Sequence, residues 1–170
     1  MKLLTLFAAI LFAGLSVVAA EPKFGVVDMQ KAILATKAGK SAQATMKSEI
    51  DKRKKKIDKM RSDFETMQKD FQKKSIAWSD DLKAQKAGEL QREGMKIQEE
   101  MYKNQQELQR KELSLKKPII DTLRASISKV AERGKYTMIL EGAEDKVLYV
   151  SKSNDITDEV VKEFEKINKK

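Results

Sequence analysis

The chain has 170 residues, 36% of them charged and 6% aromatic, and its 35 Lys and Arg outnumber 26 Asp and Glu for a formal charge of +9. So little aromatic material argues against a large globular core and suits extended helices that bury narrow apolar seams. With no His and no Cys, the chain lacks the commonest general base, the thiol nucleophile, the usual zinc ligands and any disulfide.

Met1-Lys2 precedes an apolar run over residues 3–15, which is short of the roughly 20 residues that a bilayer crossing needs. Ser16-Val17-Val18-Ala19-Ala20 follows, with small residues suited to a signal-peptidase pocket. The pattern predicts a signal peptide over residues 1–20, cut after Ala20, and hence export; a retained N-terminal anchor is the alternative. No Cys follows the run to carry a lipid anchor. The mature part, one domain's worth by length, loses only Lys2 from the basic total. A basic exported chain favours acidic partners, anionic lipid headgroups or peptidoglycan-associated anions, and no nucleic acid.

Lys23-Phe24-Gly25-Val26-Val27-Asp28 reads as a short strand and residues 29–37 as a short helix with Asp28 as N-cap. Ala38-Gly39-Lys40 is expected to loosen the chain. Met46, Ile50, Arg53, Ile57, Met60, Phe64, Met67, Phe71, Lys74 and Trp78 then alternate steps of four and three, which is a heptad seam. It breaks at Ser79-Asp80-Asp81, residues suited to a turn or cap. The seam resumes with Leu90, Gly94, Ile97, Met101, Leu108 and Leu115, and Asn104 and Lys111 fill polar slots. Two such limbs around a polar turn predict an antiparallel hairpin with limbs of roughly 57 Å at 1.5 Å per residue.

Pro118 is expected to kink or restart the returning limb where it meets a compact body. Ile119, Leu123, Ile127 and Val130 continue as a body helix that Gly134 would cap. Residues 136–140 and 147–150 read as two strands around an acidic loop, and Thr157 as the cap of a last helix with Asp158 and Glu159 in its first turn. The organisation is α+β and mostly helical. Residues 21–40 and 118–170 form a strand-bearing body, with a helical arm over 41–117 inserted between them.

No phosphate loop is present, since Gly39-Lys40-Ser41 lacks the upstream glycine spacing. The carboxylates fall on solvated helix faces among lysines, so the reading is of a non-enzyme with no cofactor and no metal. Lys52-Arg53-Lys54-Lys55-Lys56 points around the helix axis instead of forming one groove-facing stripe. Residues 47–74 hold eleven basic against six acidic residues, so the arm is cationic. Met46, Met60, Met67, Met95 and Met101 are numerous for an arm of this size, and Met adapts to many partner shapes. Trp78 either caps the seam or stays partly exposed as a contact. Gly88 and Gly94 either ease bending or are simply tolerated.

The signal peptide, Phe24-Gly25-Val26-Val27-Asp28-Met29-Gln30, the charged hairpin, Ile127-Ser128-Lys129-Val130-Ala131 and the closing Asn154-Asp155-Ile156-Thr157-Asp158-Glu159-Val160-Val161-Lys162 together resemble the Skp (OmpH-like) family of periplasmic chaperones. The Asp-Ile-Thr stretch is the most specific element, because any coiled coil would offer the same hairpin periodicity. The resemblance implies a jellyfish-like homotrimer whose arms hold unfolded outer-membrane β-barrel proteins in the periplasm without nucleotide. Client-contact candidates are then Met60, Phe64, Met67, Phe71, Trp78, Met95 and Met101. Lys52, Arg53, Lys54, Lys55 and Lys56 are candidates for electrostatic contact with clients or lipid. Phe24, Val26, Tyr136, Ile139, Val147 and Tyr149 are candidates for the trimer interface. A structural coiled-coil spacer of the envelope, or a module binding lipopolysaccharide or anionic lipid, are the competing functions.

Overall fold

The computed structural model describes residues 21–142 and 147–169. The expected signal peptide, residues 143–146 of the acidic loop and Lys170 lie outside the described residues. In chain order the elements are β1 (Phe24–Val27), α1 (Met29–Ala35), α2 (Lys37–Lys74), a 3-10 turn (Ser75–Ala77), α3 (Asp80–Gly134), β2 (Met138–Glu141) and α4 (Thr157–Ile167). No described helix is long and apolar enough to cross a membrane.

Asp28 opens α1 by accepting from the Lys31 N–H at 2.8 Å. The break before α2 falls on Thr36, not on Ala38-Gly39-Lys40, which are already helical. Thr36 closes one helix and caps the next: its hydroxyl donates to the Ile33 carbonyl at 2.8 Å and accepts from the Gly39 N–H at 3.0 Å. Gly39 is buried at this corner, and a Cβ there would run into the Ile33 carbonyl. It is a residue of close approach, not of looseness.

The hairpin forms as the heptads require. Ser79 caps α3 by accepting from the Leu82 N–H at 3.4 Å, and Asp80 and Asp81 sit in the first turn, where the helix dipole favours negative charge. The 38 residues of α2 span roughly 57 Å. The returning helix differs from expectation, because α3 runs through Pro118 without a break. Proline deletes one hydrogen bond, to the carbonyl four residues back. Its ring lies on the exposed side, while Ile119 next to it is buried in the core, so packing on both flanks holds the helix together.

At the far end, Gly134 is the last helical residue and Lys135 takes the left-handed conformation (φ 53°) expected of a glycine cap. Gly134 is required for another reason: the Tyr136 ring lies against it, and a Cβ would strike that ring.

β1 and β2 pair in parallel, with Phe24 opposite Met138 and Val27 opposite Glu141. On its other edge β1 meets the chain just before α4. The Val26 N–H donates to the Asn154 carbonyl at 2.7 Å, and the Ile156 N–H donates to the Val26 carbonyl at 2.9 Å. Residues 147–150, expected as a strand, form none. Residues 154–156 and β2 occupy the two edges of β1, and the far edge of β2 carries no strand among the described residues. Thr157, expected as a cap, is the first residue of α4. Its N–H goes to the Asp155 carboxylate at 2.9 Å, and its hydroxyl accepts from the Asp28 N–H at 3.0 Å. The Asp-Ile-Thr stretch therefore ties the two ends of the chain together.

The core gathers Val27, Ala32, Ile119, Leu123, Val130, Ile156, Val160 and Phe164, from β1, α1, the last part of α3 and the α4 region. Arg133 braces α3 to α4 by donating to Glu163 at 2.9 Å and to Glu159 at 3.1 Å. Everything between Ala42 and Leu115 projects from this core as a two-helix arm.

Candidate functional site

The arm has room for only one seam, and its buried positions are few: Ile57, Ile97 and Asn104. Met60, Phe64, Met67 and Phe71 line the contact between the helices but stay half-exposed, because a two-helix arm covers each seam residue from one side only. Met95 is 62% exposed, whereas Met101, expected in the seam, lies at its edge, 43% exposed, with its sulfur accepting from Arg61 on α2 at 3.2 Å. Trp78 does both things open to it in the sequence. It packs edge-on against Phe71 with ring centroids 5.6 Å apart and an interplanar angle of 74°, yet it remains half-buried. Around this pair, Met67, Phe71, Trp78 and Leu90 line a cleft of about 260 Å³ near the arm's tip. Ion pairs Lys74–Asp70 (2.9 Å) and Lys86–Glu89 (2.7 Å) rim it.

The basic run separates by helix periodicity. Lys52, Lys54 and Lys55 are exposed and, among the described residues, form no ion pair, whereas Lys56 pairs across the arm with Glu100 and holds that carboxyl below the ordinary glutamate range. Arg53 turns into the seam. It donates to Asn104 Oδ1 at 2.9 Å and to Glu107 at 2.6 Å, and lies 3.6 Å from Glu49. The hydrogen bond from Arg53 holds the Glu107 carboxyl down and raises the guanidinium in turn.

The second exposed surface is the outer face of the sheet. Strand alternation puts Gly25 and Val27 inward and Phe24 and Val26 outward. On β2, register places Met138 and Leu140 on the outer face beside them, with both about half-exposed. Ile139 and Tyr136 turn toward the core instead, and Lys23 Nζ lies 4.1 Å from the Tyr136 ring centroid. Val147 is half-buried and Tyr149 is 86% exposed beside an equally open Leu148.

Seven exposed apolar residues were not singled out from sequence: Leu34, Ile76, Tyr102, Leu113, Met138, Leu140 and Leu148. Strand period would have found Met138 and Leu140 once the inward phase of Ile139 was known. Ile76 and Tyr102 lie off the heptad seam, and only a search for apolar residues at predicted solvent positions would have found them.

Comparison with known proteins places this architecture. The family model described as Outer membrane protein (OmpH-like) matches residues 23–164. Among solved structures, a candidate outer membrane chaperone (OmpH-like) from Caulobacter crescentus CB15 superposes with a TM-score of 0.77 at 22% identity, covering 87% of this chain and 86% of its own. At that identity the likeness is one of fold. A search of curated proteins finds no match.

Proposed function

The chain belongs to the OmpH-like family of outer membrane proteins, and from that premise we propose that it is a periplasmic, ATP-independent holdase that keeps unfolded outer-membrane β-barrel proteins from aggregating. The observation that carries this reading is the arm itself: a long, cationic, two-helix projection that leaves Met95, Met101 and Tyr102 exposed among unpaired lysines. Unfolded barrel strands alternate apolar and polar residues and pair readily along their edges. Thioether and aromatic side chains offer them shallow, adaptable contacts, and the lysines attract acidic segments from a distance. Each contact is weak. Several arms acting on one client raise the effective concentration without any single strong site. The reading assigns the chain no reaction and no cofactor; the bound segment is segregated, and no energy is added.

Self-association supplies the several arms. The outward residues Phe24, Val26, Met138 and Leu140 offer an apolar face that a second and third copy would cover, and Leu148 and Tyr149 are exposed as well. In the proposed trimer, Val26→Asp places a charge in that face and lowers the sedimenting mass from trimer to monomer; an unchanged mass refutes this interface.

A complex formed by diluting a urea-unfolded barrel protein into the mature chain, without nucleotide, is expected to sediment as three chains plus one client. Recovery of the chain free of client would overturn the holdase reading. The unpaired Lys52, Lys54 and Lys55 favour a second reading, binding of lipopolysaccharide or anionic lipid. That binding would need no unfolded protein and would collapse as salt rises.

A further inference from the structure

The seam of the arm is chemically repetitive, and repetition leaves alignment ambiguous. Lys56 pairs with Glu100, but Glu93 and Glu107 repeat that carboxylate a heptad to either side. Phe64 lies over Gly94; moved by one heptad it would meet Ala87 or Met101, which a Met-rich seam tolerates. The flanking charges and the apolar contacts therefore discriminate poorly between the observed register and its neighbours.

One layer does discriminate. Asn104, about nine-tenths buried, has its carbonyl oxygen held by Arg53 at 2.9 Å, and Arg53 also reaches Glu107 at 2.6 Å. A slip of one heptad in either direction sets Asn104 against Met46 or Met60, with no polar partner at a buried site. Arg53 would meet Ile97 in one direction and Lys111 in the other. It could recruit Glu100 in the first case, but Asn104 would stay unsatisfied in both. The observed register already leaves Arg53 Nε and Asn104 Nδ2 without hydrogen-bond partners, so the layer is a poor stabiliser compared with an apolar pair.

We propose that the Arg53–Asn104–Glu107 layer is a register lock that returns the two helices of the arm to one alignment whenever the arm opens. Its position suits the role. Arg53 lies roughly 24 Å from the start of α2 and 32 Å from its end by helical rise, far from both the Ser79 turn and the packed base. A buried polar layer of this kind selects register at a cost in stability.

The chain has no native Cys, so nitroxide labels on Cys placed at Gln72 and Gln98, exposed positions at different heights on the two helices, report register by pulsed electron resonance. One heptad of slip is about 10 Å of axial travel. After unfolding and refolding, the otherwise unchanged chain is expected to give one distance. The Arg53→Leu/Asn104→Leu chain is expected to melt no lower and to show a second, displaced population. Arg53→Leu alone is expected to show the same second population, and it serves if the double variant does not refold. A single distance identical to that of the parent, in whichever variant refolds, overturns the proposal, and a lowered melting temperature with it would reduce the layer to an ordinary stabilising contact.

Discussion

A methyl group added at Gly39 would run into the Ile33 carbonyl, while one added at Gly88 would meet nothing closer than the end of the Arg92 side chain at 3.5 Å. Gly39→Ala is therefore expected to destabilise the fold by about 1–3 kcal/mol, as other overpacked core positions do. Gly88→Ala is expected to stabilise it by about 1 kcal/mol through helix propensity. Urea unfolding monitored by circular dichroism checks both, and equal shifts for the two would refute the distinction. The sequence presents both as helix-weakening glycines, because steric closeness between α1 and α2 is a tertiary fact that no local pattern reports. Arg53 was legible as a seam residue from heptad spacing alone. Its partner Asn104 was legible only as a polar slot, since pairing depends on register across the hairpin.

At the scale of elements, the hairpin could be read because heptads and the Ser79-Asp80-Asp81 turn are local signals. Two boundaries could not. The passage of α3 through Pro118 depends on core packing around Ile119 and Leu123, and the seating of residues 154–156 on β1 depends on contacts between segments far apart in the chain. The elements are also joined by charge. Arg133 holds the Glu163 carboxyl below its ordinary range, Lys56 does so for Glu100, Arg53 for Glu107, and bonds from Thr157 for Asp155. A carboxyl whose folded value is depressed contributes stability above its unfolded value, near 4, and loses it as pH falls through the folded one. Thermal midpoints should therefore decline below about pH 4 and stay flat from pH 6 to 8, where a chain without His has no side chain that ordinarily titrates. A decline that begins between pH 7 and 6 would contradict this assignment. Most of these pairs are exposed, so the decline should be gradual.

For the whole molecule, apolar periodicity changes character near residues 40 and 118, and that change is what suggests a strand-bearing body with an inserted arm. The open faces were less so. Which apolar residues stay uncovered depends on strand phase and on the narrowness of a two-helix arm, as Met138, Leu140 and Tyr102 illustrate. In the proposed function the exposed arm residues do the holding, and two of them, Met95 and Met101, were named from sequence for a different reason, their abundance. Replacing both by Glu should leave the melting temperature within about 1 °C, since Met95 is exposed and a Glu at 101 can still accept from Arg61, yet weaken client retention several-fold in a pull-down of unfolded barrel protein. Undiminished retention would move the contact surface to another face of the arm. Light scattering reads out the proposed holdase activity itself. A urea-unfolded outer-membrane barrel protein is diluted into buffer with increasing amounts of the mature chain and no nucleotide. Scattering is expected to be abolished near three chains per client, and unchanged scattering from a folded, self-associated chain would overturn the holdase function.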